Sequence, residues 1–544
     1  MIDVITCLII FIISNSIKTI YYYMLIGIDS RLLLAHVALT LCLTTILVFF
    51  SYSGNRRAWF ITWYLAHSLI FFINANYFEF FGRLIHLNDI YIFFNETVTL
   101  TKNLLIPLNS TDLLFIVDIP LFVYLLSRHD KIKIPVTLLN KALKITALAG
   151  IPAFLLLMTI PVQFESDVIR EIEDFDIVSR YGVLGHSIYD VASIFVKRPL
   201  ESIKYGPEMT LTTSMVNRPN IILIQFESLD AHIINTSYNG RYIAPYLHSL
   251  TAKTLYFPFT LCYRSQGGTS DCEMAVNNSI EPLLSYPLIM DRSYTYPNSV
   301  VKILKKNGYS AEAFHGVTGK FYRRLAAYSA MGYDNFFDPV KMKLTEKGWG
   351  VPDSEVLDFA EKHLAKKATP FFASIITMSS HEPFNIPHFP HDPHFDAVDP
   401  ALTGRYFASV SYTDKVLEDF IAKVQHKFSN TYFFIYGDHT PFVIKDGPFQ
   451  RSALPTASGK EIEMVPLFII TPTGQVHHEH RSIASYLDIA PTILNASGIP
   501  CKFKTLGINL LESIPPQQEV VYRGHLYSRS SLYAEMTHFL EDME

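Results

Sequence analysis

Five apolar runs, at roughly residues 5–27, 31–51, 59–78, 104–127 and 143–163, dominate the first part of the chain. Each is close to the ~20 residues that cross ~30 Å of hydrocarbon as a helix. The pattern predicts a multi-pass α-helical membrane domain of five spans over residues 1–163. The first run is too long for a signal peptide and lacks a small-residue cleavage site, so it reads as a retained span. Charges interrupt the pattern, among them Lys18 in the first run and Asp118, near Pro120, in the fourth. Burial inside a helix bundle accounts for Asp118, and extension of the long stem toward an interface accounts for Lys18.

Loop charges orient the spans. Arg56 and Arg57 lie in the second loop, and Arg128, Lys131, Lys133, Lys141 and Lys144 in or beside the fourth, whereas the first and third carry only Arg31, Arg83 and Lys102. The positive-inside rule makes the even loops cytoplasmic, so an odd number of spans sends everything after residue 163 to the outer face of the cytoplasmic membrane, extracellular or periplasmic. Residues 164–218 open with an acidic stretch and continue with mixed apolar and polar positions, which predicts a juxtamembrane helical connector ending at Arg218-Pro219.

Beyond Pro219 the pattern changes. Short apolar, β-branched or aromatic runs without polar alternation, at residues 221–226, 371–377, 432–436 and 467–470, read as strands buried on both faces. Helical patterns separate them, at residues 299–306, 354–366, 406–427 and 482–496. Residues 219–544 are therefore expected to form an α/β domain with a largely parallel central sheet and helices on both faces, binding its ligand at the carboxyl ends of the strands. Composition narrows the function. With 49% hydrophobic and 17% charged residues the chain is not disordered, and its net charge of −5 gives no basic excess for nucleic acid.

Metal-type ligands stand at those strand ends. Glu227 follows the first strand, Asp438 and His439 follow the strand at 432–436, and His315 follows the short run 311–314. Hard carboxylates with imidazole suit Mn²⁺, Mg²⁺ or Zn²⁺. The pentapeptide Gly267-Gly268-Thr269-Ser270-Asp271 sets a glycine pair before a hydroxyl residue at a helix start, suited to presenting Thr269 to a phosphate beside a metal. An ordinary Thr or Ser N-cap supported by Asp271 explains the same residues.

In order, Ile224-Gln-Phe-Glu227-Ser228, Gly267-Gly-Thr269-Ser-Asp, Phe314-His-Gly316, Ser380-His381-Glu-Pro-Phe384 and Tyr436-Gly-Asp-His439 resemble the lipoteichoic acid synthase family, sulfatase-like phosphoglycerol transferases of the alkaline phosphatase superfamily. The resemblance extends to Leu487-Asp-Ile-Ala-Pro-Thr-Ile-Leu494 and to five helices preceding an extracytoplasmic domain. It implies that Glu227, Thr269, Asp438 and His439 hold one divalent ion, Mn²⁺ foremost, with Mg²⁺ or Zn²⁺ as alternatives. It makes Thr269 the nucleophile, with His381 and Arg324 on the phosphoglycerol group and His315 close by. The implied reaction moves the head group of phosphatidylglycerol or a similar phospholipid, through a phospho-threonine, to a glycan or glycolipid hydroxyl.

There are departures from that family. Gly268 stands where a lysine is usual, Tyr322 where a tryptophan packs on the glycerol, and Thr440-Pro441 follows His439. Cys262 and Cys272 bracket Thr269, and a disulfide between them would resemble the related phosphoethanolamine transferases. Transfer of phosphoethanolamine to lipid A or another envelope glycan is thus one alternative; a non-catalytic sulfatase-like binding protein is another. A formylglycine sulfatase fits less well, because those enzymes convert a Cys or Ser in a Cys/Ser-x-Pro-x-Arg sequence and Cys272 is followed by Glu273-Met274-Ala275-Val276. The histidines at 388, 391 and 394 and at 477–480 read as solvated loops.

Overall fold

The computed structural model comprises two compact units, residues 1–97 with 105–198, and residues 98–104 with 199–544. The structure describes residues 4–25, 56–81, 84–85, 110–120, 123–124, 178, 186–187, 190 and 200, then residues 203–541 except 266, 284–286, 383, 385–391, 442–443, 445–447, 456–460, 475, 477–481 and 516.

In the first unit, α1 (Val4–Leu25) and α2 (Arg56–Phe81) occupy the first and third apolar runs. The runs at 31–51 and 143–163 lie outside the described residues. Among the described residues no helix is long and apolar enough to cross a membrane. The fourth run departs from a single helix: Ser110–Phe115 is a 3-10 helix and the chain turns at residues 116–118. The turn sets the Asp118 carboxylate against Lys18, whose Nζ lies 2.8 Å from Oδ1. Ser14 and Tyr64 donate to the other oxygen, and Lys18 also donates to Ser68 Oγ at 2.8 Å. Lys18 is therefore buried and paired and does not reach toward an interface, since a charge among apolar helices is cheaper beside its counter-ion.

The second unit follows the alternation of runs. Its elements include β1 (Asn220–Phe226), β2 (Leu255–Leu261), α3 (Thr269–Asn278), β3 (Ser310–His315), α4 (Arg324–Met331), β4 (Asn335–Phe337), α5 (Asp353–Leu364), β5 (Phe371–Ile376), α6 (Ala401–Lys427), β6 (Thr431–Gly437), β7 (Ala453–Pro455), β8 (Glu461–Ile470), β9 (Ala484–Ser485) and α7 (Tyr486–Ala496). The sheet runs β9-β2-β8-β6-β1-β5-β3-β4, with β7 paired to β8. β1 is parallel to β5 and β6, and β3 is parallel to β5, so these strands end on one edge. β8 is antiparallel to both neighbours. The sheet, expected to be largely parallel, is thus mixed at the run 467–470; a strand buried on both faces carries no periodicity that reports its direction.

Every residue of β1 is buried, and alternate side chains serve opposite layers. Ile222, Ile224 and Phe226 join Val356, Leu357, Tyr406, Val410 and Leu417 of α5 and α6. On the other face Gln225 accepts from Tyr436 and donates to the Thr269 carbonyl, tying β1 to the start of α3. Within the expected helical connector, Glu208–Leu211 is instead a strand paired antiparallel with Cys501–Lys504.

The carboxyl-terminal helix Arg529–Glu541 is pinned by an ion pair: both Arg529 and Asp488 are fully buried, with contacts of 2.7 and 2.8 Å. Asp488 also closes the capping box of α7 with Ser485. Removing one member of such a pair leaves a buried charge, so Asp488→Ala is expected to lower the unfolding free energy by about 3–5 kcal/mol. Denaturant unfolding of the purified chain checks this; a change below about 1 kcal/mol would show that the pair is solvated.

Candidate active site

The register of β1 and β6 brings the site together. Phe226 pairs with Gly437, so the residues that follow, Glu227 and Asp438, leave adjacent parallel strands at one level. Gly437 is required by closeness: a Cβ there would lie 2.2 Å from the Leu229 carbonyl oxygen. Glu227, Asp438 and His439 are buried, and a ligand atom of each falls within 4.8 Å of the others. His439 Nε2 lies 3.2 Å from Glu227 Oε1 and 3.7 Å from Asp438 Oδ2.

The donor set fits a divalent cation. Asp438 Oδ1 accepts the N–H groups of Ser228 and His439 at 2.7 and 2.8 Å, while the buried Oδ2 has no hydrogen-bond partner. His439 Nδ1–H donates to the Thr440 carbonyl at 3.0 Å, which turns Nε2 toward the carboxylates as metal-bound imidazoles do. Burial, then the charge of Glu227, holds the Asp438 carboxyl well above the usual range. Burial opposes protonation of His439, but Asp438 and Glu227 outweigh it and hold the imidazole well above its ordinary value. Two carboxylates sharing one proton-bearing ring have the charge deficit that a cation fills.

Thr269 is the first residue of α3, and Gly268 before it adopts φ 54°, ψ −127°, a backbone suited to glycine. No side chain caps this helix. Asp271 holds the turn by accepting from the N–H groups of Ser265 and Gly267 at 2.9 and 2.8 Å. The Thr269 hydroxyl, free of the capping role that the residue types alone allowed, donates to Glu227 Oε2 at 3.3 Å.

Four residues on, and so on the same helix face, Glu273 pairs with Arg324, the first residue of α4, at 2.6 Å. Arg324 is buried, not solvated, and its Nη1 has no hydrogen-bond partner. Its guanidinium lies 5.5 Å from the Tyr322 ring centroid, and Tyr322 and Arg323 both have positive φ, 52° and 51°. His315 ends β3; its Nδ1–H donates to the Ile376 carbonyl at 3.2 Å, and burial, then Arg324, push its pKa down to about 3, so it is neutral. His381 follows β5, and its Nδ1–H donates to the Glu382 carbonyl at 2.7 Å, which directs Nε2 away from the backbone. Burial opposes ionisation of the Glu227 carboxyl, but its neighbours His381 and His439 outweigh it and hold the carboxyl well below the usual range.

Glu273 and Gln225 are the positioning residues that the sequence reading passed over; the spacing of four from Thr269 was the signal for Glu273. Cys262 and Cys272 are free thiols, and both donate to the Asp438 carbonyl oxygen, at 3.0 and 2.9 Å. His394 accounts for itself by bonding the Tyr238 carbonyl at 2.8 Å, while residues 388, 391 and 477–480 lie outside the described residues.

Residues 219–499, which carry this mixed sheet and the groups at its strand ends, match the sulfatase family. Residues 2–198 match the lipoteichoic acid synthase N-terminal domain. The chain belongs to the sulfatase family. It is 28% identical over 351 residues to the lipoteichoic acid synthase-like protein YvgJ of Bacillus subtilis, covering 60% of this chain and 56% of that one. Lipoteichoic acid synthase 2 of the same organism is 25% identical over 470 residues, covering 80% and 71%. The chain thus spans just over half the length of the first relative. Among solved structures, the lipoteichoic acid synthase LtaP from Listeria monocytogenes matches at 23% identity and a TM-score of 0.49, covering 61% of this chain and 94% of that one.

A ligand held only by the native state stabilises it, by about 2.7 kcal/mol at a hundredfold excess over Kd. Chelator treatment is expected to lower the melting temperature of the purified chain, and added Mn²⁺ to restore it. In Asp438→Asn neither treatment should move the midpoint; an unchanged response to Mn²⁺ would remove Asp438 from the ligand set.

Proposed function

We propose that this chain is a membrane-anchored phosphoglycerol transferase that moves the head group of phosphatidylglycerol, through a phospho-threonine at Thr269, to a glycan or glycolipid hydroxyl. The observation that carries the reading is the Thr269 hydroxyl, presented by the Gly267-Gly268 turn onto Glu227 and not spent on capping its helix. Glu227, Thr269, Asp438 and His439 would hold a divalent ion, Mn²⁺ in first place, which when bound would supply Lewis-acid charge and lower the pKa of a coordinating hydroxyl. Arg324 Nη1, desolvated and held by Glu273, donates to a non-bridging phosphate oxygen. Thr269 Oγ1 gives its proton to water, forms the bond to phosphorus, and the bond from phosphorus to the diacylglycerol oxygen breaks. His381 Nε2 delivers a proton to that oxygen. In the second half the acceptor hydroxyl loses its proton to the same nitrogen, bonds to phosphorus and displaces Thr269, whose oxygen takes a proton back from water.

A membrane anchor over residues 1–163 would hold the site at the outer face of the cytoplasmic membrane, beside a donor that resides in the bilayer. The phosphoethanolamine alternative draws on a bridge between Cys262 and Cys272, which stand here as two thiols on the Asp438 carbonyl oxygen.

Incubating the full chain with Mn²⁺ and phosphatidylglycerol vesicles should add one phosphoglycerol unit, located by peptide mass spectrometry on Thr269 and missing in Thr269→Ala. An adduct only from phosphatidylethanolamine would replace the donor in this account; no adduct from either lipid would end it.

A further inference from the structure

Trp349 lies in the segment between α4 and α5 and belongs to none of the motifs considered so far. Its ring centroid is 4.7 Å from that of His381, at an interplanar angle of 32°. The side chain is only 8% exposed, yet its indole Nε1 has no hydrogen-bond partner. A buried donor left unpaired costs free energy, so such a group is retained where something else accepts from it. The segment is also held firmly. Val351 N donates to the Gly316 carbonyl at 2.8 Å, and Lys347 N to the Gly350 carbonyl at 2.8 Å. A Cβ on Gly350 would come within 2.9 Å of the Gly316 oxygen and 3.0 Å of Met378 Cγ. Trp349 is therefore clamped between the end of β3, which carries His315, and the loop after β5, which carries His381.

We propose that Trp349 is a substrate-binding residue that sets head-group specificity, its ring walling the pocket beside His381 and its Nε1–H donating to a hydroxyl of the glycerol moiety. The proposal rests on the transferase reading above and extends it. An indole nitrogen only donates, so it can pair with a hydroxyl oxygen and has nothing to offer the hydrogens of an ammonium group. A polyol head group satisfies it; an aminoethyl one leaves it orphaned.

Trp349 also supplies its own probe, because the other tryptophans are Trp59 and Trp63. In the full-length chain carrying Trp59→Phe and Trp63→Phe, emission comes from Trp349 alone. Titrating this variant, made Thr269→Ala to prevent turnover, with sn-glycerol 1-phosphate in the presence of Mn²⁺ should give a saturable emission change. O-phosphoethanolamine should give a weaker one. In otherwise wild-type chain, Trp349→Phe keeps the ring and loses the N–H, and should raise KM for phosphatidylglycerol about tenfold with kcat nearly unchanged. If Trp349→Phe fails to fold, the emission titration decides alone. Binding of glycerol phosphate seen by calorimetry without any emission change, or an unaltered KM in folded Trp349→Phe, would overturn the role of Trp349 and leave the transferase reading intact. Absence of both binding and phosphoglycerol adduct would overturn the two together.

Discussion

The structure is organised around a repulsion. Glu227 and Asp438 leave neighbouring parallel strands at one level, in a place closed to water, and both point at His439. Carboxylates so close and so buried cannot both be ionised without a compensating positive charge. Everything nearby supplies part of that compensation or fixes the geometry in which it is needed. The Ser228 and His439 amides hold one Asp438 oxygen, and the other Asp438 oxygen is left for a cation.

Around this centre the backbone is forced into positions that the fold must hold. Ser228 has φ 53° and Phe384 φ 59°, the one immediately after Glu227 and the other three residues after His381. Left-handed backbone at non-glycine residues costs free energy and persists where the surroundings over-determine it, which happens at functional sites. The surroundings here are named bonds. Ser380 Oγ donates to the Glu227 carbonyl at 2.5 Å, and Thr377 Oγ1 accepts from the Glu227 N–H at 2.9 Å, locking the end of β1 to the loop that carries His381. Asp353, at the start of α5, accepts from Met378 N, Ser379 N and the Thr413 hydroxyl, fixing the same loop from behind. On the other side of the sheet, Glu463 of β8 accepts from Thr440 N and Oγ1 at 3.1 and 2.9 Å and pairs with Arg264 at 2.6 Å, which steadies the turn beyond His439. Thr440, a departure from the resembled family, thus has work in this chain's own packing.

The strands at 221–226, 371–377 and 432–436 were legible because fully buried strands are nearly pure apolar runs, and Glu227, His439 and their neighbours stood out as polar groups at their ends. The direction of β8 was not legible, since burial on both faces erases the alternation that would have carried it. Arg324 could be named from the sequence only as a charge; that it is buried depends on Glu273, on a different helix, and no local pattern couples residues 51 positions apart. The same holds for Lys18 and Asp118, each anomalous alone and explained only as a pair. Trp349 gave no signal because an isolated tryptophan before a helix is ordinary; only its ring contact with His381 and its unpaired nitrogen mark it.

The central claim is that Glu227, Thr269, Asp438 and His439 converge on one divalent cation. Anomalous diffraction from crystals of the chain grown with Mn²⁺ tests it most directly. The account predicts a single strong manganese peak among those four side chains, at coordination distances of about 2.0–2.3 Å. A map with no peak there, or with manganese held elsewhere while Asp438 and His439 remain bonded only to protein, would contradict it.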